Sequence, residues 1–199
     1  MSLTRRTTLA TLLALIGFPA RAAMPTPSQT EGPFYPTPPM RFGDIDNDLV
    51  KIVGAVEQAG GEIVHLTGRV LDRDGAPVAG ARVEIWQCDV NGRYLHTGDR
   101  GGKARDGGFQ GFGHDITGAD GVYRFRTIRP VVYPGRTPHI HVKVLTEGRE
   151  LTTQFYENGH PSNARDFLWR SLSAAEQQAL SMTFEDVDGR VEAAMDITI

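Results

Sequence analysis

The chain contains one cysteine, Cys88, in 199 residues. No disulfide can form within it, so stability must rest on a packed core. The length suffices for one domain with a sizeable core. A lone thiol can still act as a nucleophile. Cys88, however, follows an apolar stretch at 83–86 and precedes a turn, where a small buried side chain is the expected role. Basic excess is missing as well. Lys and Arg number 21 against 24 Asp and Glu, a formal net charge of −3. That argues against a nucleic-acid partner, and no block of like charge suggests an interaction tail. Helix-period patterns are scarce, and no strand–helix–strand rhythm is present. What the chain does have is glycine (23) and proline (12). A loop-rich all-β domain follows.

The first 23 residues stand apart. Arg5 and Arg6 lead into an apolar run at 9–18, then Pro19 and the small-x-small site Ala20-Arg21-Ala22. This is the layout of an export signal cleaved after Ala22 or Ala23, with the paired arginines matching the twin-arginine type. The apolar run is too short to span a bilayer comfortably. The expectation is a periplasmic or secreted protein with a signal peptide at 1–23, a domain at 24–199 and no lasting membrane insertion.

The domain opens with a proline-rich arm, Pro25 to Pro39, carrying Phe34 and Tyr35. It is expected to pack across the domain rather than form a loose linker. The acids of 44–48 resemble a calcium loop but lack its sixth-position glycine and distal glutamate, so they read as a solvated loop. Residues 63–71 and 78–87 read as strands separated by an Asp-Gly turn, and Asn91-Gly92 marks another turn. Residues 96–114 form a long glycine-rich loop with Phe109 and Phe112, either a binding loop or disordered. His96 and His114 in that loop are expected to face solvent. Residues 121–128 alternate as a strand. Ser173 opens a capping box for one short helix to about Met182, and 191–199 reads as a closing strand whose final residues, 196–199, fit an edge. Short strands at even spacing predict an antiparallel β-sandwich of immunoglobulin or transthyretin type, with long loops and one short C-terminal helix. On this pattern alone, a secreted non-catalytic binding module is a serious alternative.

One stretch asks for chemistry. His139 and His141 flank Ile140, and 140–145 is alternating and β-branched, so it reads as a strand. Alternate side chains share a face, which puts both imidazoles on one side and Ile140 on the other. Two imidazoles so placed can share a metal ion, although His-x-His also occurs as ordinary surface alternation. Tyr133 and Arg136 stand just upstream, in a loop stiffened by Pro134, Gly135 and Pro138.

Several segments together carry a resemblance. Residues 29–35 (QTEGPFY), 86–94 (WQCDVNGRY), 109–113 (FQGFG), 125–130 (FRTIRP), 133–141 (YPGRTPHIH) and 153–156 (TQFY) resemble the intradiol ring-cleavage dioxygenase family, specifically its protocatechuate 3,4-dioxygenase type. The likeness covers nearly all of 24–199. It implies a β-sandwich enzyme that opens a catechol ring with O2 to a cis,cis-muconate, using non-haem Fe(III). It further implies Tyr94 and His141 as equatorial ligands, Tyr133 and His139 as the axial pair, Arg136 as the active-site arginine and Gln154 near the oxygen-side pocket. Two phenolates and two neutral imidazoles suit a ferric ion, whereas zinc is more commonly held by histidine, cysteine or carboxylate. A zinc hydrolase would need a nearby carboxylate base, and the nearest acids, Asp120 and Glu147, sit in no supporting motif. Glu31 and Arg129 are given no catalytic role and could be neighbours in a salt bridge. Catechol-specific relatives usually carry an N-terminal helical dimerisation segment, for which the arm leaves no room. This favours the protocatechuate-like branch without fixing the substrate beyond a catechol-type aromatic, with assembly as a homo-oligomer or with a related chain.

Overall fold

Strand β1 (Ile63–Leu71) shows how the chain builds its sheets. Val64, Leu66, Gly68 and Val70 are buried while His65, Thr67 and Arg69 between them are more exposed, the period-2 burial of a strand with one face on a core. The computed structural model describes residues 23–199. The expected export signal therefore lies, all but its last residue, outside the described residues. Further strands are β2 (Arg82–Trp86), β3 (Phe112–Ile116), β4 (Val122–Ile128), β5 (His139–Thr146), β6 (Arg149–Glu157), β7 (Ser181–Met182), β8 (Glu185–Val187), β9 (Arg190–Ala194) and β10 (Ile197–Thr198).

They form two five-stranded sheets. In the first, β1 pairs with β4 on one side and with β9 and β10 on the other, and β8 borders β9. The second runs β3-β2-β5-β6-β7. Val64, Leu66, Tyr123 and Phe125 of one sheet belong to the same buried cluster as Ile85, Ile140, Val142 and Phe155 of the other. The expected sandwich is present, but its sheets are mixed rather than wholly antiparallel. β9 and β10 run parallel to β1, and β7 runs parallel to β6.

Three other expectations need correction. The closing strand is broken in two: β9 lies between β1 and β8, while β10 holds the expected edge place beside β1. Met195 turns its carbonyl to the Tyr123 hydroxyl, and Asp196 caps the Arg69 amide and guanidinium, so pairing lapses between β9 and β10. Two short helices stand where one was expected: α1 (Phe167–Ser171), capped by Asp166, and α2 (Ala174–Ala179), with the capping box at Ser173. Ser181 and Met182 leave the helix because they pair with β6. Finally, Glu31 does not meet Arg129. Glu31 pairs with Lys143, while Arg129 pairs with Glu62 and Glu157. Among the described residues no helix is long and apolar enough to cross a membrane.

The proline-rich arm is docked, not loose. Thr26 N donates to Thr198 O at 2.9 Å and Gln29 N to Thr152 O at 2.8 Å. Tyr35 donates to the buried carboxylate of Glu84 at 2.6 Å and packs edge-on against Trp86. The arm covers the outer face of the second sheet. Strand β5 is consequently buried on both faces from His139 to Val144, where alternation alone predicts one exposed face.

Candidate metal centre

His139 and His141 lie on the outer face of β5, under the arm, while Ile140 enters the core. Their Nε2 atoms are 3.1 Å apart. His139 Nδ1 lies 2.7 Å from the carbonyl oxygen of Thr137, so the ring proton sits on Nδ1 and the Nε2 lone pair faces its neighbours. Trp86 stacks flat on His141, with centroids 4.8 Å apart and planes at 10°. His141 Nδ1 is buried and has no hydrogen-bond partner in the protein.

Tyr94 arrives from the loop after β2. Asp89 accepts from the amides of Asn91 and Arg93, and Gly92 takes φ +76°, which makes the Asn-Gly turn seen in the sequence. Asp99 then accepts from the Tyr94 amide at 2.7 Å. The Tyr94 ring stacks on Phe34 at 5.0 Å, and its hydroxyl lies 3.3 Å from His139 Nε2. Tyr133 arrives from the β4–β5 loop. Tyr133-Pro134-Gly135-Arg136 closes with Arg136 N donating to Tyr133 O at 2.9 Å and Gly135 at φ +82°, the requirement of a type II turn with proline second and glycine third. The Tyr133 ring lies edge-on to Tyr94 at 5.4 Å and 5.5 Å from His139. The four side chains thus converge, as the resemblance implied.

Burial sets their electrostatics. It pushes the Tyr94 phenol well above its ordinary value, with the neighbouring Tyr133 adding to the rise. It raises Tyr133 as well, against the pull of Arg136. Burial and then Arg136 lower His139 to about 3, and burial, His139 and Arg136 together hold His141 well below the imidazole range. Without a counter-cation the cluster is two phenols and two neutral imidazoles. Ligands about 2.1 Å from one ion and at right angles would be about 3 Å apart, close to the 3.1 and 3.3 Å seen here. A highly charged cation compensates two phenolates where a divalent one would leave none of its charge over. The donor set therefore fits Fe(III). Among the described residues no cluster of three or more His, Cys, Asp or Glu could hold a metal. Asp120 caps Val122 at a turn, and Glu147 sits in the β5–β6 turn, so neither serves a zinc hydrolase.

A family model described as Dioxygenase matches residues 30–198. The chain belongs to the intradiol ring-cleavage dioxygenase family. It is 38% identical over 152 residues to the protocatechuate 3,4-dioxygenase beta chain of Burkholderia cepacia, covering 72% of this chain and 65% of that one. It is 34% identical over 171 residues to the alpha chain from the same organism, covering 81% and 84%. The dioxygenase domain of a carbohydrate-binding fusion protein from Streptomyces sp. SirexAA-E has the same fold, with a TM-score of 0.65 and 34% identity over 88% of this chain and 98% of that one.

In this family member Arg136 is held from three sides. Nε donates to Asp166 Oδ2 at 2.8 Å, Nη2 to Gln154 Oε1 at 2.6 Å and Nη1 to the Tyr133 oxygen at 3.3 Å. Gln154, opposite His141 on β6, is buried and donates its amide to Thr30 O at 3.0 Å, which ties the arm to the site. Tyr133 and Arg136 line a cavity of about 230 Å³ with Val132, Gly135, Ser162, Arg165 and Asp166. A larger cavity, about 340 Å³, lies on the other sheet around His65 and Arg126, away from this cluster. His96 and His114 stay outside the cluster. His96 caps Gly98, and His114, half-buried rather than solvent-facing, meets Ile45 O. Cys88 is buried and its thiol is pushed up to about 12, as suits a packing residue.

Sequence reasoning missed Asp166, Tyr156 and Trp86's stacking on His141. Tyr156 donates to Gln29, has Gln154 Oε1 3.1 Å from the same hydroxyl and lies beside His139. Asp166 did carry one legible signal, an acidic residue immediately before a possible helix start.

Proposed function

We propose that this chain is a non-haem Fe(III) intradiol dioxygenase. It opens a catechol-type aromatic between its two hydroxyl-bearing carbons, adding both atoms of one O2 to give a cis,cis-muconate. The convergence of Tyr94, Tyr133, His139 and His141 in one buried cluster beside Arg136 carries this reading. Those four side chains would hold the metal. Bound there, Fe(III) would accept both oxygens of a catecholate and draw electron density from the ring, priming it for O2.

The chain's own residues divide the remaining work. Tyr94, stacked on Phe34 and fully buried, stays in place. Tyr133 is half-buried and borders the cavity, so of the two phenol oxygens that would hold the metal its own is the one placed to take up a catechol proton. His139 and His141 keep neutral lone pairs on the site because burial prevents their protonation. Arg136, preorganised by Asp166 and Gln154, stabilises negative charge on the substrate as the attacked carbon changes hybridisation. A fixed donor of that kind contributes about 3 kcal/mol in a water-poor site. Trp86, Phe34 and Tyr156 wall the cluster and exclude water.

The substrate is a catechol-type aromatic, handled by a protein exported through the signal at 1–23 and assembled with itself or a related chain. Loading the purified protein with Fe(III) tests the reading. It becomes burgundy through tyrosinate-to-iron charge transfer, and Tyr133→Phe alters the colour and slows turnover. A preparation that stays colourless sinks the proposal and favours the binding module. Oxygen uptake across catechol, protocatechuate, hydroxyquinol and gallate identifies the substrate.

A further inference from the structure

Asp166 stands between a helix and the arginine. Its side chain is buried, and both oxygens are in use. Oδ1 accepts from the amides of Leu168 and Trp169, which caps α1. Oδ2 turns the opposite way and accepts from Arg136 Nε at 2.8 Å and from the Thr137 amide at 2.9 Å. The carbonyl of that same Thr137 accepts from His139 Nδ1, and its hydroxyl pairs with Asn163 at 2.6 Å. A carboxylate needed only as a cap would use one oxygen on the helix. This one spends the other on the loop that carries the arginine and leads into the histidine strand.

We infer that Asp166 is a positioning residue for the ring-opening reaction. It holds Arg136 in register with Tyr133 and, through Thr137, fixes which nitrogen of His139 faces the metal donors. The inference rests on the function proposed above. Arg136 sits in a loop, and an arginine side chain has about 2 kcal/mol of rotamer entropy to lose. With Asp166 removed, Gln154 is left as the one strong anchor, and the guanidinium can pivot about that bond. Misplacement of a reacting group by about 1 Å can cost on the order of 100-fold in rate. The anchor is itself firm. Trp169 packs edge-on against Tyr156 at 5.1 Å, and Gln177 of α2 donates to the Trp169 carbonyl at 3.0 Å.

Asp166→Asn is the informative variant, because asparagine caps helices as well as aspartate does. Three measurements bear on it. In Fe(III)-loaded protein, kcat falls at least about 10-fold while KM stays within about threefold and the visible band persists. In an Arg136→Lys background the same change adds less than about twofold, because both act through one group. In metal-free protein, NMR shows the slowly exchanging Arg136 Nε–H and the Nδ1–H tautomer of His139, and Asp166→Asn loses the first and mixes the second. Ser173→Ala, which uncaps α2, lowers the melting temperature and leaves all three unchanged. Unaltered kcat, losses that multiply with Arg136→Lys, or unaltered NMR signals overturn the inference. If wild-type protein binds no Fe(III) while Asp166→Asn still produces the NMR changes, the proposed function is overturned and Asp166's hold on Arg136 and His139 stands.

Discussion

Replacing Tyr94 with phenylalanine separates a metal donor from a packing residue. The ring would stay stacked on Phe34, so the hydrophobic contacts survive. What goes is a buried hydroxyl whose meeting with His139 Nε2 is long, at 3.3 Å. A net hydrogen bond contributes about 1 kcal/mol. For a chain of this size that is a melting shift of roughly 2–4 °C in the metal-free protein. Metal binding loses far more. Deleting partners that merely orient ligands costs about 10–100-fold in affinity, so deleting a ligand costs at least about 100-fold. At saturating Fe(III), a 100-fold weaker site forfeits about 2.7 kcal/mol of metal-linked stability. Thermal melts with and without Fe(III), alongside competition against a chelator, measure both terms. The reasoning fails if the metal-free variant melts more than about 10 °C lower while its Fe(III) affinity is unchanged.

Other perturbations reach different parts of the account. Arg136→Lys loses the guanidinium's three-way hold, and steady-state assays of the iron-loaded protein should show kcat lower by about 100- to 1000-fold. A Cβ at Gly68 would be driven into the Met195 carbonyl and the Tyr123 hydroxyl, where the sheet closes on its last strands. Gly68→Ala should therefore cost more than about 4 kcal/mol in urea denaturation. Burial lifts the Cys88 thiol from 9.0 to about 12, so the native chain keeps a proton that the unfolded chain releases. Stability is thus lost as pH rises from about 9 to about 12, and Cys88→Ala should make that decline shallower in denaturant midpoints measured across the window.

Much of the fold could be read because period-2 burial is written plainly in β1 and β4. The YPGR turn was equally legible, since proline then glycine permits few geometries. Parallel pairing was not. The alternation of 191–199 says which side chains face inward and nothing about which strand lies alongside. The breaks at Met195 and Asp196 depend on Tyr123 and Arg69, more than 70 and 120 positions away in the chain. That the two histidines share a face followed from strand geometry alone. Tyr94 joined them only through the family resemblance, because a loop residue 45 positions upstream has no periodicity linking it to β5. Asp166 escaped for a related reason. A five-residue helix is too short to show an apolar stripe, so its cap was not sought.

The central claim is that the Tyr94, Tyr133, His139 and His141 cluster, loaded with Fe(III), opens catechol rings with O2. Mass spectrometry of the product formed under 18O2 tests it most directly. The account predicts a ring-opened diacid carrying both labelled atoms, one O2 consumed for each ring. Catechol recovered intact, or a product whose added oxygen comes from water, would contradict it.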